Sequence, residues 1–94
     1  MDRGEQIALE LSATVEARGN EYGEAERNFK RIASLWTAYM HNGGRQIVIT
    51  PEDIAPMMIL MKIARLQNPT AQDDFDTLLD IAGYAVCHAR VTGQ

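Results

Sequence analysis

The sequence predicts an all-α fold, a compact four-helix domain occupying residues 1–94 as one unit. Three observations predict it. Apolar residues recur at i, i+3/i+4 and i+7 in four stretches. No window alternates in the manner of a half-buried strand. The breaks between the stretches carry helix-stop and helix-start residues. The nearest thing to a strand, Gln46-Ile47-Val48-Ile49-Thr50, is short and has no obvious partner, so it counts as loop.

The first stretch runs from about Arg3 to Arg18, with Ile7, Leu11, Thr14 and Val15 on one side and Gly19-Asn20 as its stop. The second runs from about Glu24 to His41. Its stripe of Ala25, Phe29, Ile32, Ala33, Trp36, Tyr39 and Met40 opposes Arg27, Lys30 and Arg31, so Trp36 is expected in the core. Asn42-Gly43-Gly44 ends it. Thr50-Pro51-Glu52-Asp53 opens the third: Thr as N-cap, Pro at the first helical position, and Asp53 placed to close a capping box. This helix continues to about Gln67, with a slight kink expected at Pro56 and a stop at Asn68-Pro69. The fourth starts near Thr70 to Asp73 and runs to about Val91, with Phe75, Leu78, Leu79, Ala82, Val86 and Ala89 as its core stripe.

Composition excludes several functions. The net charge is −4, from 9 basic and 13 acidic residues, which argues against non-specific nucleic-acid binding, since phosphate contacts need a cationic face. One cysteine rules out a disulfide scaffold and a thiolate-built zinc site. No apolar run approaches the ~20 residues of a membrane span, and the N-terminus lacks a secretory layout. The expectation is a soluble, intracellular, cytoplasmic protein with no membrane partner. A chain this short has a thin stability margin, which favours a homodimer or higher homo-oligomer.

The third helix is internally inconsistent. Between Ile54 and Leu66, 10 of 13 residues are apolar and they surround the helix, which predicts burial on most sides, as the central element or one shared across a dimer. Yet it carries Lys62 and Arg65, three residues apart and therefore on one side. A cation there must reach water or find an anion. Asp73, Asp74, Asp76 and Asp80 follow, with no Lys or Arg between Leu66 and His88. Asp76, Asp80 and Tyr84 line one side of the fourth helix at i, i+4, i+8, at the rim of its apolar stripe. The short Asn-Pro link makes the third and fourth helices antiparallel neighbours, which brings the cations to these carboxylates. Gly83 lies mid-helix on the same side at a cost of roughly 1 kcal/mol relative to Ala, which a close approach by backbone or ligand would explain. The cluster is either a structural ion-pair network or a polar pocket whose cations hold phosphate and whose carboxylates hold a divalent metal. On the residues alone the network is the preferred reading.

Other candidates are weaker. Glu21 and Glu24 spell E-x-x-E, common by chance. Asn28 borders the apolar stripe, and either reaches into a pocket or stays at the surface. Cys87 and His88 are adjacent and point about 100° apart on a helix, so they form no dyad. Met57, Met58 and Met61 are more often adaptable core than a binding surface.

The chain resembles a small helical domain family of bacteriophages and prophages. The resemblance rests on Tyr22-Gly23, Asn28-Phe29, Ile32-Ala33-x-Leu35-Trp36, Thr50-Pro51-Glu52-Asp53-Ile54-Ala55 with Met57-Met58, Lys62-Ile63-Ala64-Arg65, Asn68-Pro69-Thr70, Asp73-Asp74 and Asp80-Ile81-Ala82-Gly83-Tyr84-Ala85, over about residues 7 to 90. It is distantly similar to phage domains associated with nucleotide modification. More loosely it is similar to the MazG-like all-α nucleotide pyrophosphohydrolases, which hold magnesium on acidic helices and act as dimers or tetramers. That likeness implies a phage accessory protein binding a nucleotide or nucleotide-derived ligand through Tyr22, Asn28, Lys62, Arg65, Asp74 and Tyr84. If it also hydrolyses that ligand, Glu24, Asp76 and Asp80 would hold magnesium. The alternative is a non-enzymatic interaction module, or a protein that sequesters a nucleotide signal against host defence.

Overall fold

The computed structural model describes residues 1–17, 22–68 and 74–93; the side chains of residues 17 and 22–25 stand outside that description. Among the described residues the chain is all-α, with four helices: α1 (Arg3–Ala17), α2 (Tyr22–Asn42), α3 (Pro51–Leu66) and α4 (Phe75–Thr92). No strand occurs among the described residues. The expected stops at Gly19-Asn20 and Pro69, and the acidic start at Asp73, lie outside the described residues.

Local chemistry sets the helix ends. Asp2 opens α1: its carboxylate accepts the Glu5 N–H at 2.7 Å, which holds that carboxyl below its usual range. At α2's end the chain turns through Gly44, whose φ of +81° is open to glycine at little cost. The Arg45 N–H then returns to the Met40 carbonyl at 3.0 Å. The Asp53 carboxylate accepts the Thr50 backbone N–H at 2.9 Å and the Thr50 hydroxyl at 3.0 Å, so the expected cap forms. Pro56 is accommodated inside a continuous α3.

The 43–50 segment is loop, as expected, but it is pinned. The Thr37 hydroxyl on α2 accepts the Ile49 N–H at 2.8 Å and donates to the Ile49 carbonyl at 3.2 Å. One side chain thus satisfies both backbone groups of Ile49, replacing the absent strand partner. The pinned Ile49 side chain joins Phe29, Ala33, Ile54 and Ala55 as the buried core. Trp36, Met57, Met58, Tyr84, Cys87 and Val91 pack against it, so the core location expected for Trp36 holds in half-buried form.

The start of α3 meets the C-terminal half of α4 in this core, while Lys62, late in α3, meets Asp80, early in α4. The two helices are therefore antiparallel, as the short link predicts. α1 runs parallel to α4 instead: Arg3 pairs with Asp74 and its guanidinium sits 5.9 Å from the centre of the Phe75 ring. α4 contacts all three other helices, whereas among the described residues α1 contacts α4 alone.

This arrangement corrects one expectation. α3 is not buried on most sides within the single chain, and α4 is the hub. Only Ile54 and Ala55 of α3 are fully buried, while Leu60, Met61 and Ile63 are exposed. Apolar content said the helix wants cover; three helices laid out in a flattened slab supply cover on one side only. The principal extents are 50 × 36 × 17 Å.

Candidate functional site

The cations of α3 part company. Lys62 extends its stem against α4 and places Nζ 3.0 Å from Asp80 Oδ2, with its side chain only 12% exposed against 48% for Asp80. The carboxylate sits at the water-facing rim and reaches in to neutralise a nearly buried ammonium. Arg65, one turn further along α3, is exposed, and no ion pair to it exists among the described residues.

The carboxylates also divide. Asp74 is engaged by Arg3 of α1 across 71 residues of sequence. Asp76 is exposed, and Asp80 serves Lys62. Among the described residues, no group of three His, Cys, Asp or Glu side chains is arranged to hold a metal. The side chains of Glu24 and Tyr22 lie outside the description, as do Glu21 and Asp73. Asn28 is exposed on α2, because its neighbour Phe29 takes the core direction.

Asp80 and Tyr84 instead border a groove between α1 and α4. Its volume is about 380 Å³. Leu11, Thr14 and Val15 form the α1 wall; Gly83, Cys87 and Arg90 continue the α4 wall. A Cβ built on Gly83 would meet nothing within 4 Å beyond its own helix backbone. Among the described residues no other backbone approaches Gly83 closely, so the backbone half of the expected explanation is not met there, and the glycine opens the groove floor. The residues 80, 83, 84, 87 and 90 fall at i, i+3, i+4, i+7 and i+10, which puts them on one α4 face. That spacing was available in the sequence. Arg90 and Cys87 went unrecognised as groove residues because no motif marks them and α1 gives no sign of running parallel to α4.

The groove mixes an apolar body with a few polar groups, the usual make-up of a small-molecule site, and its size suits one. Asp80 and Arg90 are ten residues apart, about 15 Å along the helix at 1.5 Å per residue. An elongated ligand with a hydrogen-bond donor at one end and an anion at the other matches this polarity.

Comparison with known proteins fits a phage origin. A family profile described as "Domain of unknown function (DUF6378)" matches residues 7–92, which takes in most of α1 and all of α2, α3 and α4. The chain is 52% identical over 69 residues to the Gene 55 protein of Mycobacterium phage L5, covering 72% of this chain and 40% of that protein. It is 40% identical over 74 residues to the Gene 55 protein of Mycobacterium phage D29, covering 79% and 44%. The chain thus spans less than half the length of these relatives. No solved structure matches it. No helix among the described residues is long and apolar enough to cross a membrane.

Proposed function

We propose, for a chain that belongs to the DUF6378 family of phage domains of unknown function, that it binds a nucleotide or nucleotide-derived ligand in the α1–α4 groove. The observation that carries this reading is a cavity of about 380 Å³ floored by a side-chain-free Gly83, with Asp80 at one end and Arg90 at the other. Lys62 holds Asp80 in place through one oxygen, which leaves the other to accept from a base or sugar hydroxyl. Tyr84 offers a ring to stack on and a phenol to bond with. Arg90 on the groove wall is the cation for phosphate.

MazG-like hydrolysis would add a magnesium ion. The described residues do not fit one: Asp74 and Asp80 are each tied to a cation, and Asp76 stands on the surface. No step is therefore derived through a metal, and turnover is a matter for the assay. An interaction module is favoured by a separate observation. Lys62 is already neutralised by Asp80, so the pair is satisfied without any ligand.

Melting with a panel of nucleotides and cyclic dinucleotides, with and without magnesium, tests the proposal. A ligand at 100 times its Kd adds about 2.7 kcal/mol, on the order of 10 °C for a domain of this size. Gly83→Leu should reduce that shift by filling part of the groove. A shift with product formation would assign the hydrolase. No shift across the panel overturns the ligand reading and leaves the interaction module.

A further inference from the structure

We infer that the outer face of α3 is the contact by which a second copy of this chain docks. Pro56, Leu60, Ile63, Ala64 and Gln67 are all exposed, and their spacing of i, i+4, i+7, i+8 and i+11 places them on one face. Leu60 is 65% and Ile63 41% exposed. The opposite face of the same helix carries Ile54, Met58 and Lys62, which face the core and α4. A helix apolar on both faces needs cover on both, and the described residues supply one.

The area argues for a whole protein surface as the cover. A compact monomer of 10.5 kDa exposes about 5,400 Å². This chain exposes 6730 Å², roughly 1,300 Å² beyond that. Spread over the flattened molecule as a whole, this excess leaves room for the ~800 Å² that each partner contributes to a standard stable interface. The radius of gyration points the same way: 15.2 Å against roughly 12 Å for a compact fold of this length.

A second copy suits the chemistry. Between Ile54 and Leu66 there is no carboxylate; the exposed Glu52 and Asp53 stand at one end of α3 and the exposed Arg65 at the other, so an antiparallel pair sets opposite charges against each other. The stripe is apolar with small Ala64 within it, which lets two α3 helices approach closely about a two-fold axis, the commonest closed arrangement. An isologous contact needs only one self-complementary patch, and the α3 stripe can serve as both halves of it.

Sedimentation of the full chain at tens of micromolar tests this. The wild type should sediment at twice the 10.5 kDa chain mass. Leu60→Glu and Ile63→Glu should return it to the monomer mass with helical circular dichroism retained. Leu9→Glu, at an apolar site on α1 that is 60% exposed, should leave the dimer intact. A second variant keeps the test open should a glutamate prevent folding. In a Cys87→Ser background, Ala64→Cys should form an intermolecular disulfide on oxidation and Glu10→Cys should not. A wild-type monomer overturns the inference, as does a dimer that both α3 glutamates leave whole or a disulfide at position 10 but not at 64.

Discussion

Removing Asp80 and removing Lys62 delete the same 3.0 Å ion pair but leave different orphans behind. After Lys62→Met the carboxylate remains, on a side chain 48% exposed, and water takes over its solvation. The methionine keeps most of the buried stem, so the loss is that of a surface pair, about 1 kcal/mol or less. After Asp80→Ala the ammonium remains, on a side chain 12% exposed. A buried charge stripped of its partner costs about 3–5 kcal/mol, and partial exposure with a flexible stem reduces this to roughly 1–3. At 4–8 °C per kcal/mol for a domain of this size, Asp80→Ala lowers Tm by on the order of 10 °C and Lys62→Met by a few degrees. The double variant should be more stable than Asp80→Ala alone, since the orphan is gone. Thermal melts at one fixed protein concentration read all three, because self-association would otherwise shift Tm. The reasoning fails if Lys62→Met costs as much as Asp80→Ala, or if the double variant melts no higher than Asp80→Ala.

Other outcomes follow from single contacts. Gly83→Ala, with nothing within 4 Å of the added carbon, should raise the stability of the free protein by about 1 kcal/mol in urea titration. Thr37→Val keeps the shape but strands both backbone groups of Ile49, and should cost about 1–3 kcal/mol in the same assay. Ile54→Ala empties the one large side chain with no solvent exposure, and calorimetry should show a loss of about 2–5 kcal/mol. The lowered pKa of Asp2 means its cap contributes above the ordinary value of 3.8 and is lost as pH falls through the depressed one. The Asp2 carboxyl carbon shift, followed by NMR, should therefore titrate with its midpoint below 3.8.

What the sequence made legible was local or close in register. The α3 start could be foreseen because Thr50 and Asp53 cap within one turn of each other. The Lys62–Asp80 contact could be foreseen because a short link forces α3 and α4 antiparallel and each residue's position then fixes its height. The remainder depends on long-range packing. A mid-helix Thr such as Thr37 has no signature of bonding a loop twelve residues away. Arg3 and Asp74 meet across 71 residues, so the parallel course of α1, and with it the groove wall of Leu11, Thr14 and Val15, left no trace in spacing. Apolar content marked α3 as needing cover without saying that α4 would become the hub. Asn28 was placed beside the stripe, and the structure turns it outward because Phe29 is the residue that fits the core.

Among the described residues α1 is attached through α4 alone, which divides the protein into two tiers of opening. Releasing α1 forfeits one seam, while α2, α3 and α4 keep Phe29, Ile54 and Ile49 packed. Amide exchange in α1 should then proceed by detachment at a free energy well below that of global unfolding. The groove is that seam. A molecule lodged in it acts as a clasp, and its affinity and the slowing of α1 exchange would be two measures of one equilibrium.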